Sequence, residues 1–165
     1  MFENKGRTEI ENLGEFGLID HLTKHLKIQN ATSVKGIGDD AAVLNFEGKR
    51  TLVSTDFLLE GIHFDLAYTP LKHLGYKAIQ VNLSDIYAMN GTASQVTVSI
   101  GISSRFPLEA VEELYQGINI ACEKYGVDLI GGDTSSSKQG LIISVTSIGY
   151  ADENEICYRD GAKEG

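Results

Sequence analysis

Residues 69–91 carry the clearest pair of boundary signals in this chain. Thr69-Pro70 opens a helix, with Thr as N-cap and Pro at the first helical position, and Asn90-Gly91 closes it roughly twenty residues later. A helix of that length must bury one face, and the runs around it have strand character. Gln95–Ile102 alternates with a period of two, and Val127–Ile130 and Leu141–Ala151 supply two further strands separated by a Gly/Ser loop.

Two more helices are expected. Phe16, Ile19, Leu22 and Leu26 recur at helical spacing, which predicts an amphipathic helix from Leu13 to Lys27. Pro107 opens another, through Leu108, Val111, Leu114, Tyr115, Ile118 and Cys122, stopped at Gly126. Ala41–Phe46 and Arg50–Asp56 flank Glu47-Gly48-Lys49 and are expected to form a hairpin whose turn uses a positive φ at Gly48. The order of elements describes a sheet with helices packed against it.

At 165 residues, 42% of them apolar and 22% charged, the chain has the material for one domain with a sizeable core. Its net charge of −9, from 23 acidic and 14 basic residues, argues against a nucleic-acid partner, because contact with a phosphate backbone needs Lys and Arg to replace counterions. No segment reaches the ~18 apolar residues that cross a bilayer and the N-terminus has no apolar stretch behind positive charge, so no membrane contact and a cytoplasmic location are expected. Cys122 and Cys157 lack CxxC spacing and are expected to be two reduced, packed thiols.

The aspartates carry the chemistry. Asp39-Asp40, Asp56 and Asp133 each follow an apolar run, where sheets collect ligands, and Asp85 interrupts the helix in VNLSDIYAM on the same face as Asn82. Asp is a poor residue in a helix interior, so Asp85 needs something to compensate for it. Taken singly, each aspartate is more often a cap or turn residue, Asp39 as a cap of the following strand and Asp133 as an Asx turn. Together, converging carboxylates require a cation, and hard oxygen ligands select Mg²⁺ or Ca²⁺. Mg²⁺ in turn suggests phosphates.

Gly36-Ile37-Gly38-Asp39-Asp40 and Gly131-Gly132-Asp133-Thr134 are loops whose backbone can approach an anion, yet neither is a Walker A sequence or a GxGxxG fingerprint. Ser54-Thr55-Asp56 puts two hydroxyls beside a carboxylate at a strand end. His63, in Gly61-Ile62-His63-Phe64, lies close enough in sequence to reach the same place. His21, His25 and His73 read as surface residues without partners, and no Ser/His/Asp or Cys/His triad is spaced for catalysis.

The succession GIGDDAAVL, STD, GIHF, YKAIQVNLSDIYAM, LIGGDT and a late Arg followed by GAK resembles the thiamine-monophosphate kinases. Their superfamily also holds aminoimidazole ribonucleotide synthetase, selenophosphate synthetase and the hydrogenase maturation factor HypE. The resemblance covers nearly the whole chain, and GIHF favours the kinases over their cousins. It departs at Ser135-Ser136, where the family often has Thr-Arg.

The resemblance implies an α/β fold of the α+β type, like the N-terminal domain of PurM: a four-stranded mixed sheet with helices on one face, pairing into a barrel across a homodimer. The alternating apolar residues of Gln95–Ile102 and Leu141–Ala151 are candidates for that interface. It further implies residues 1–165 as an N-terminal Mg-ATP-binding domain without its C-terminal partner, and therefore inactive alone. The reaction implied is transfer of the γ-phosphoryl of ATP to thiamine monophosphate, with Mg²⁺ ions clustered on the aspartates and no protein base.

By motif position Asp40, Ser54, Thr55, Asp56, Asp85 and Asp133 are the implied metal ligands. Tyr115, Gly132, Asp133 and Arg159 are implied to contact ATP, and His63 thiamine monophosphate. Two alternatives stand beside this: another ATP-dependent synthetase of the superfamily, and a non-catalytic Mg-nucleotide-binding dimerisation module.

Overall fold

The computed structural model describes residues 13–35, 37 and 43–158. In chain order they form α1 (Gly14–Thr23), β1 (Ser33–Lys35), β2 (Val43–Leu44), β3 (Arg50–Leu59), α2 (Leu71–Ala88), β4 (Thr92–Ile102), α3 (Leu108–Tyr125), β5 (Asp128–Ser136) and β6 (Ile142–Ala151), then a single 3₁₀ turn at Glu153–Glu155. The main sheet has the order β3-β6-β4-β5, with β4 and β5 parallel and the other pairs antiparallel. This is the four-stranded mixed sheet that the sequence resemblance implies.

Strand alternation divides the sheet into two faces. Leu52 and Leu58 of β3, Ile143 and Val145 of β6, and Val96, Val98 and Ile100 of β4 point under α2 and α3 and are buried. The helices meet them with Leu74, Ile79, Leu83 and Ile86 from α2 and Val111, Leu114 and Ile118 from α3, making one continuous core. On the other face Val53 and Phe57 are 65% and 58% exposed. Thr55, Thr146 and Thr97 share that face with Ser144, Ile148 and Tyr150.

The interface expectation for β4 is thereby corrected: its apolar residues face the helices, while Thr97, Ser99 and Gly101 face outward. In β6 both faces are apolar, and Ile142, Ile148 and Tyr150 are the outward set.

α2 and α3 cross at closer range than ordinary side chains permit. A Cβ on Gly75 would lie 2.0 Å from the carbonyl oxygen of Leu114, and one on Gly117 would lie 1.9 Å from that of Lys72. The two glycines let each helix backbone sit in the groove of the other, which brings both helices down onto the sheet.

Several boundaries differ from expectation. Val43–Leu44 pairs with Ser33–Lys35, and β3 pairs with β6, so the segments flanking Glu47 and Gly48 are not a hairpin. Their turn does use left-handed backbone, with φ of 47° and 82°. α1 stops at Thr23, and α2 starts at Leu71 with Pro70 as its extended N-cap residue and no side-chain cap. β5 runs through Gly131-Gly132-Asp133-Thr134 to Ser136, because this stretch pairs along β4, so what was expected to be a loop is strand.

Long-range polar contacts also overrule local reading. His21 is not a lone surface residue: its Nε2 lies 2.6 Å from Glu112 Oε1 and joins α1 to α3. His25 lies in the turn after α1 rather than on a helix. Cys122 is packed, but Cys157 is exposed. Asp128, 2% exposed at the start of β5, accepts from the Gln29 and Asn30 amides and from Ser33 Oγ at 2.7, 3.0 and 2.6 Å, and so fastens the segment between α1 and β1 to the sheet. No helix among the described residues is long and apolar enough to cross a membrane.

Candidate functional site

α2 crosses the helix-facing side of β3 so that its inner face meets Ser54 and Asp56. Ser54 Oγ donates to Asp85 Oδ2 at 2.5 Å, and the Asp56 amide donates to Asn82 Oδ1 at 3.0 Å. Asn82 and Asp85 are one turn apart on the helix, while Ser54 and Asp56 are alternate strand residues on one face. Asp85 therefore lies beside Ser54, and Asp56 follows two residues further along the same face of β3, a strand step of ~7 Å. Asp85 is exposed and Asp56 half-buried, which leaves both open to solvent.

The bond from Ser54 is the compensation that a mid-helix Asp requires. Asn82 is buried, and its Nδ2 donates to the Ala78 carbonyl at 2.9 Å. Its own carbonyl accepts from Ser147 Oγ at 3.0 Å, so α2 is fixed to β3 and β6 at the same point.

The other implied ligands lie elsewhere. Thr55 is on the opposite face of β3, where its hydroxyl donates to the Val145 carbonyl at 3.0 Å and accepts from Thr146 Oγ1 at 3.1 Å. Asp133 is on β5, at the far edge of the sheet from β3, in the cross-strand row Phe57–Ser144–Ser99–Asp133. That row is outward-facing, and three inter-strand steps separate Asp133 from β3 by ~14 Å. Within one chain, therefore, Ser54, Asp56 and Asp85 come together and Thr55 and Asp133 do not join them. Asp40 and Arg159 lie outside the described residues.

Gly132 sits against β4 so closely that a Cβ would be 1.8 Å from the Val98 carbonyl oxygen, and only glycine fits there. Tyr115 is 7% exposed inside α3's packed face, and burial pushes its phenol up to about 12. His63 occupies the connection between β3 and α2. Its Nδ1 accepts the Leu59 amide at 3.0 Å and its carbonyl accepts from Lys77 Nζ at 3.0 Å, so the ring has a fixed seat with Nε2 left to donate.

Among the described residues no three His, Cys, Asp or Glu side chains are grouped to hold a metal. Mg²⁺ is commonly held by one or two carboxylates and completes its shell with water and phosphate oxygens. Ser54, Asp56 and Asp85 are a hard-oxygen set of the right kind and accessibility.

Sequence reasoning placed Asn82 on the face of Asp85 but gave it no part, and it missed Asp128 and Ser147. The signal for Asn82 was a second poor helix former three residues before Asp85. For Asp128 and Ser147 no local signal existed, because their partners are distant in sequence.

The chain is 38% identical over 152 residues to the thiamine-monophosphate kinase of Bacillus subtilis (strain 168), a match covering 92% of this chain and 46% of that one. The crystal structure of thiamine-monophosphate kinase from Stenotrophomonas maltophilia K279a superposes with a TM-score of 0.77 at 30% identity, covering 91% of this chain and 46% of the other. AaThiL complexed with AMPPCP and TMP superposes with a TM-score of 0.67 at 35% identity, over 96% and 48%. The chain spans about half the length of the curated relatives it matches. Residues 38–151 match the family model described as AIR synthase related protein, N-terminal domain, and the chain belongs to that family.

Proposed function

We propose that this chain is the Mg-ATP-binding N-terminal part of a thiamine-monophosphate kinase, which transfers the γ-phosphoryl of ATP to the phosphate of thiamine monophosphate. The observation that carries the reading is the meeting of Ser54, Asp56 and Asp85 between β3 and α2. Identity to the Bacillus subtilis kinase and the likeness to AaThiL complexed with AMPPCP and TMP support the choice of substrates.

In this proposal Asp56 and Asp85, with Ser54, hold Mg²⁺, which when bound neutralises phosphate charge. Phosphoryl transfer needs alignment and charge neutralisation more than a protein nucleophile, and a phosphate acceptor is already ionised at neutral pH, so no protein base is required. His63, seated by Leu59 and Lys77, presents Nε2 to the acceptor substrate. Gly132 keeps β5 backbone close to β4 where the nucleotide phosphates would run; the family resemblance also implies Arg159 and Tyr115 as ATP contacts, Tyr115 offering no more than the 7% edge that its packing in α3 leaves exposed.

Homodimer formation through the outward sheet face belongs to the same proposal. Val53, Phe57, Ile148 and Tyr150 are apolar residues that a second sheet would cover, forming a barrel. Asp133 stands on that face, so its contribution to metal and ATP would come through the paired assembly.

The test is calorimetric titration of the chain with AMPPCP, with and without Mg²⁺, repeated on Asp85→Asn, alongside an assay for thiamine diphosphate. Mg²⁺-dependent binding that disappears in Asp85→Asn, without turnover by the 165-residue chain, is expected. Binding indifferent to Mg²⁺ and to Asp85→Asn would refute the metal-nucleotide reading.

A further inference from the structure

We propose that Asn82 is a positioning residue that sets the separation of Asp56 and Asp85, an inference that rests on the reading of these two as a divalent-cation site. Asn82 is fully buried, at 0% exposure, in the middle of α2, and asparagine is a poor helix former that a core position would ordinarily exchange for Leu. Its side-chain amide links the helix to the strand: Oδ1 accepts from the Asp56 backbone across the element boundary, while Nδ2 donates back to the Ala78 carbonyl within α2 and so fixes the amide's orientation.

The consequence is geometric. Among the described residues Asp56 belongs to an edge strand, paired only with β6, and Asn82 takes its amide directly. Asp85, one turn further along α2, is tied to Ser54 on the same strand. Ser147 Oγ donates to the Asn82 backbone carbonyl from β6, which holds the helix on the sheet but touches neither the Asn82 side chain nor Asp56. Two ties, Asn82–Asp56 and Asp85–Ser54, fix the helix to the strand in both translation and rotation. Losing the first lets α2 pivot about the second, and the carboxylates separate while each remains intact.

A purely structural role predicts that any substitution with the same stability loss behaves alike. The positioning role predicts otherwise. Mn²⁺ affinity is measured by electron paramagnetic resonance on the wild-type chain, Asp85→Asn, Asn82→Leu and Ser147→Ala, with melting temperatures taken on the same samples. Asn82→Leu is expected to weaken Mn²⁺ binding at least about tenfold, whereas Ser147→Ala, which loosens the same helix without touching Asp56, is expected to stay within about twofold of wild type. Wild-type affinity in a folded Asn82→Leu would overturn the proposal.

If Asn82→Leu does not fold, the Asn82 side-chain amide and the Asp56 backbone amide are followed by NMR in the wild-type chain during Mg²⁺ titration. Both are expected to shift with one midpoint, and a silent Asn82 amide beside a shifting Asp56 would overturn the proposal. A wild-type chain that binds neither cation, like Asp85→Asn, would instead overturn the cation-site reading and take this inference with it.

Discussion

Ser54 Oγ donates to Asp85 Oδ2 at 2.5 Å, and this bond turns an unfavourable mid-helix Asp into part of an inter-element joint. Removing the hydroxyl frees the carboxylate from β3. Ser54→Ala is expected to lower stability by about 0.5–1.5 kcal/mol, since the pair is solvent-exposed, and to weaken Mn²⁺ binding by several-fold. Urea unfolding and a Mn²⁺ titration on the same preparation check both.

The crossing of α2 and α3 depends on the absence of two side chains. Gly117→Ala would place a methyl 1.9 Å from the Lys72 carbonyl oxygen, a backbone atom that moves only with its helix. A loss of roughly 1–3 kcal/mol or more is expected, measured as a lower urea midpoint, with Gly17→Ala in α1 as the tolerated control.

Asp128 is a buried carboxylate with three donors, and its removal leaves them unpaired. Asp128→Ala is expected to destabilise the chain by roughly 3 kcal/mol and to release the segment around Gln29 and Asn30. Hydrogen exchange of those two amides should accelerate far more than that of Leu83 or Ile118, and equal acceleration throughout would mean that Asp128 is not a local anchor.

Burial pushes both the Tyr115 phenol and the Cys122 thiol up to about 12, the thiol also feeling the charge of Asp128. Both groups are neutral when protonated, so the folded chain retains protons that the unfolded chain releases above pH ~8.5 for Cys and ~10 for Tyr. Stability is therefore whole below that window and falls as pH rises through it towards 12. Tyr115 alone accounts for about 2–3 kcal/mol by pH 12. Urea midpoints measured from pH 8 to 11 should decline, and Tyr115→Phe should flatten the part of the decline above pH 10.

The two thiols should separate by reactivity. Cys157 is exposed and Cys122 is buried with its thiolate disfavoured. Titration with a chromogenic disulfide at pH 8 is expected to label Cys157 quickly and Cys122 only after denaturant is added. Rapid labelling of both would contradict the packing of α3.

The outward sheet face can be tested without reference to catalysis. Phe57→Lys places a charge at the centre of the exposed apolar set and leaves the helix-facing core untouched. Sedimentation should show a dimer in the wild type and a monomer in the variant, with melting temperature little changed apart from the loss of assembly.

Hydrophobic period and punctuation by Pro, Gly and Asn were enough to locate α2, α3, β4 and β6, because those signals act over a few residues and packing agrees with them. The motif aspartates stood out too, since carboxylates that end strands or break helices are costly wherever they occur. Strand partners were not legible. β3 pairs with β6 some ninety residues away rather than with its neighbour, and the Gly131-Gly132-Asp133 stretch is strand only because β4 lies beside it. Which aspartates meet was likewise settled by tertiary structure: alternation along β3 sends Thr55 away from Ser54 and Asp56, and sheet order sends Asp133 to the far edge. The sequence alone determined which oxygen-bearing side chains the chain has to offer. The register of α2 against β3, marked by the contacts of Asn82 and Ser54 that no local pattern encodes, decided which of them lie together.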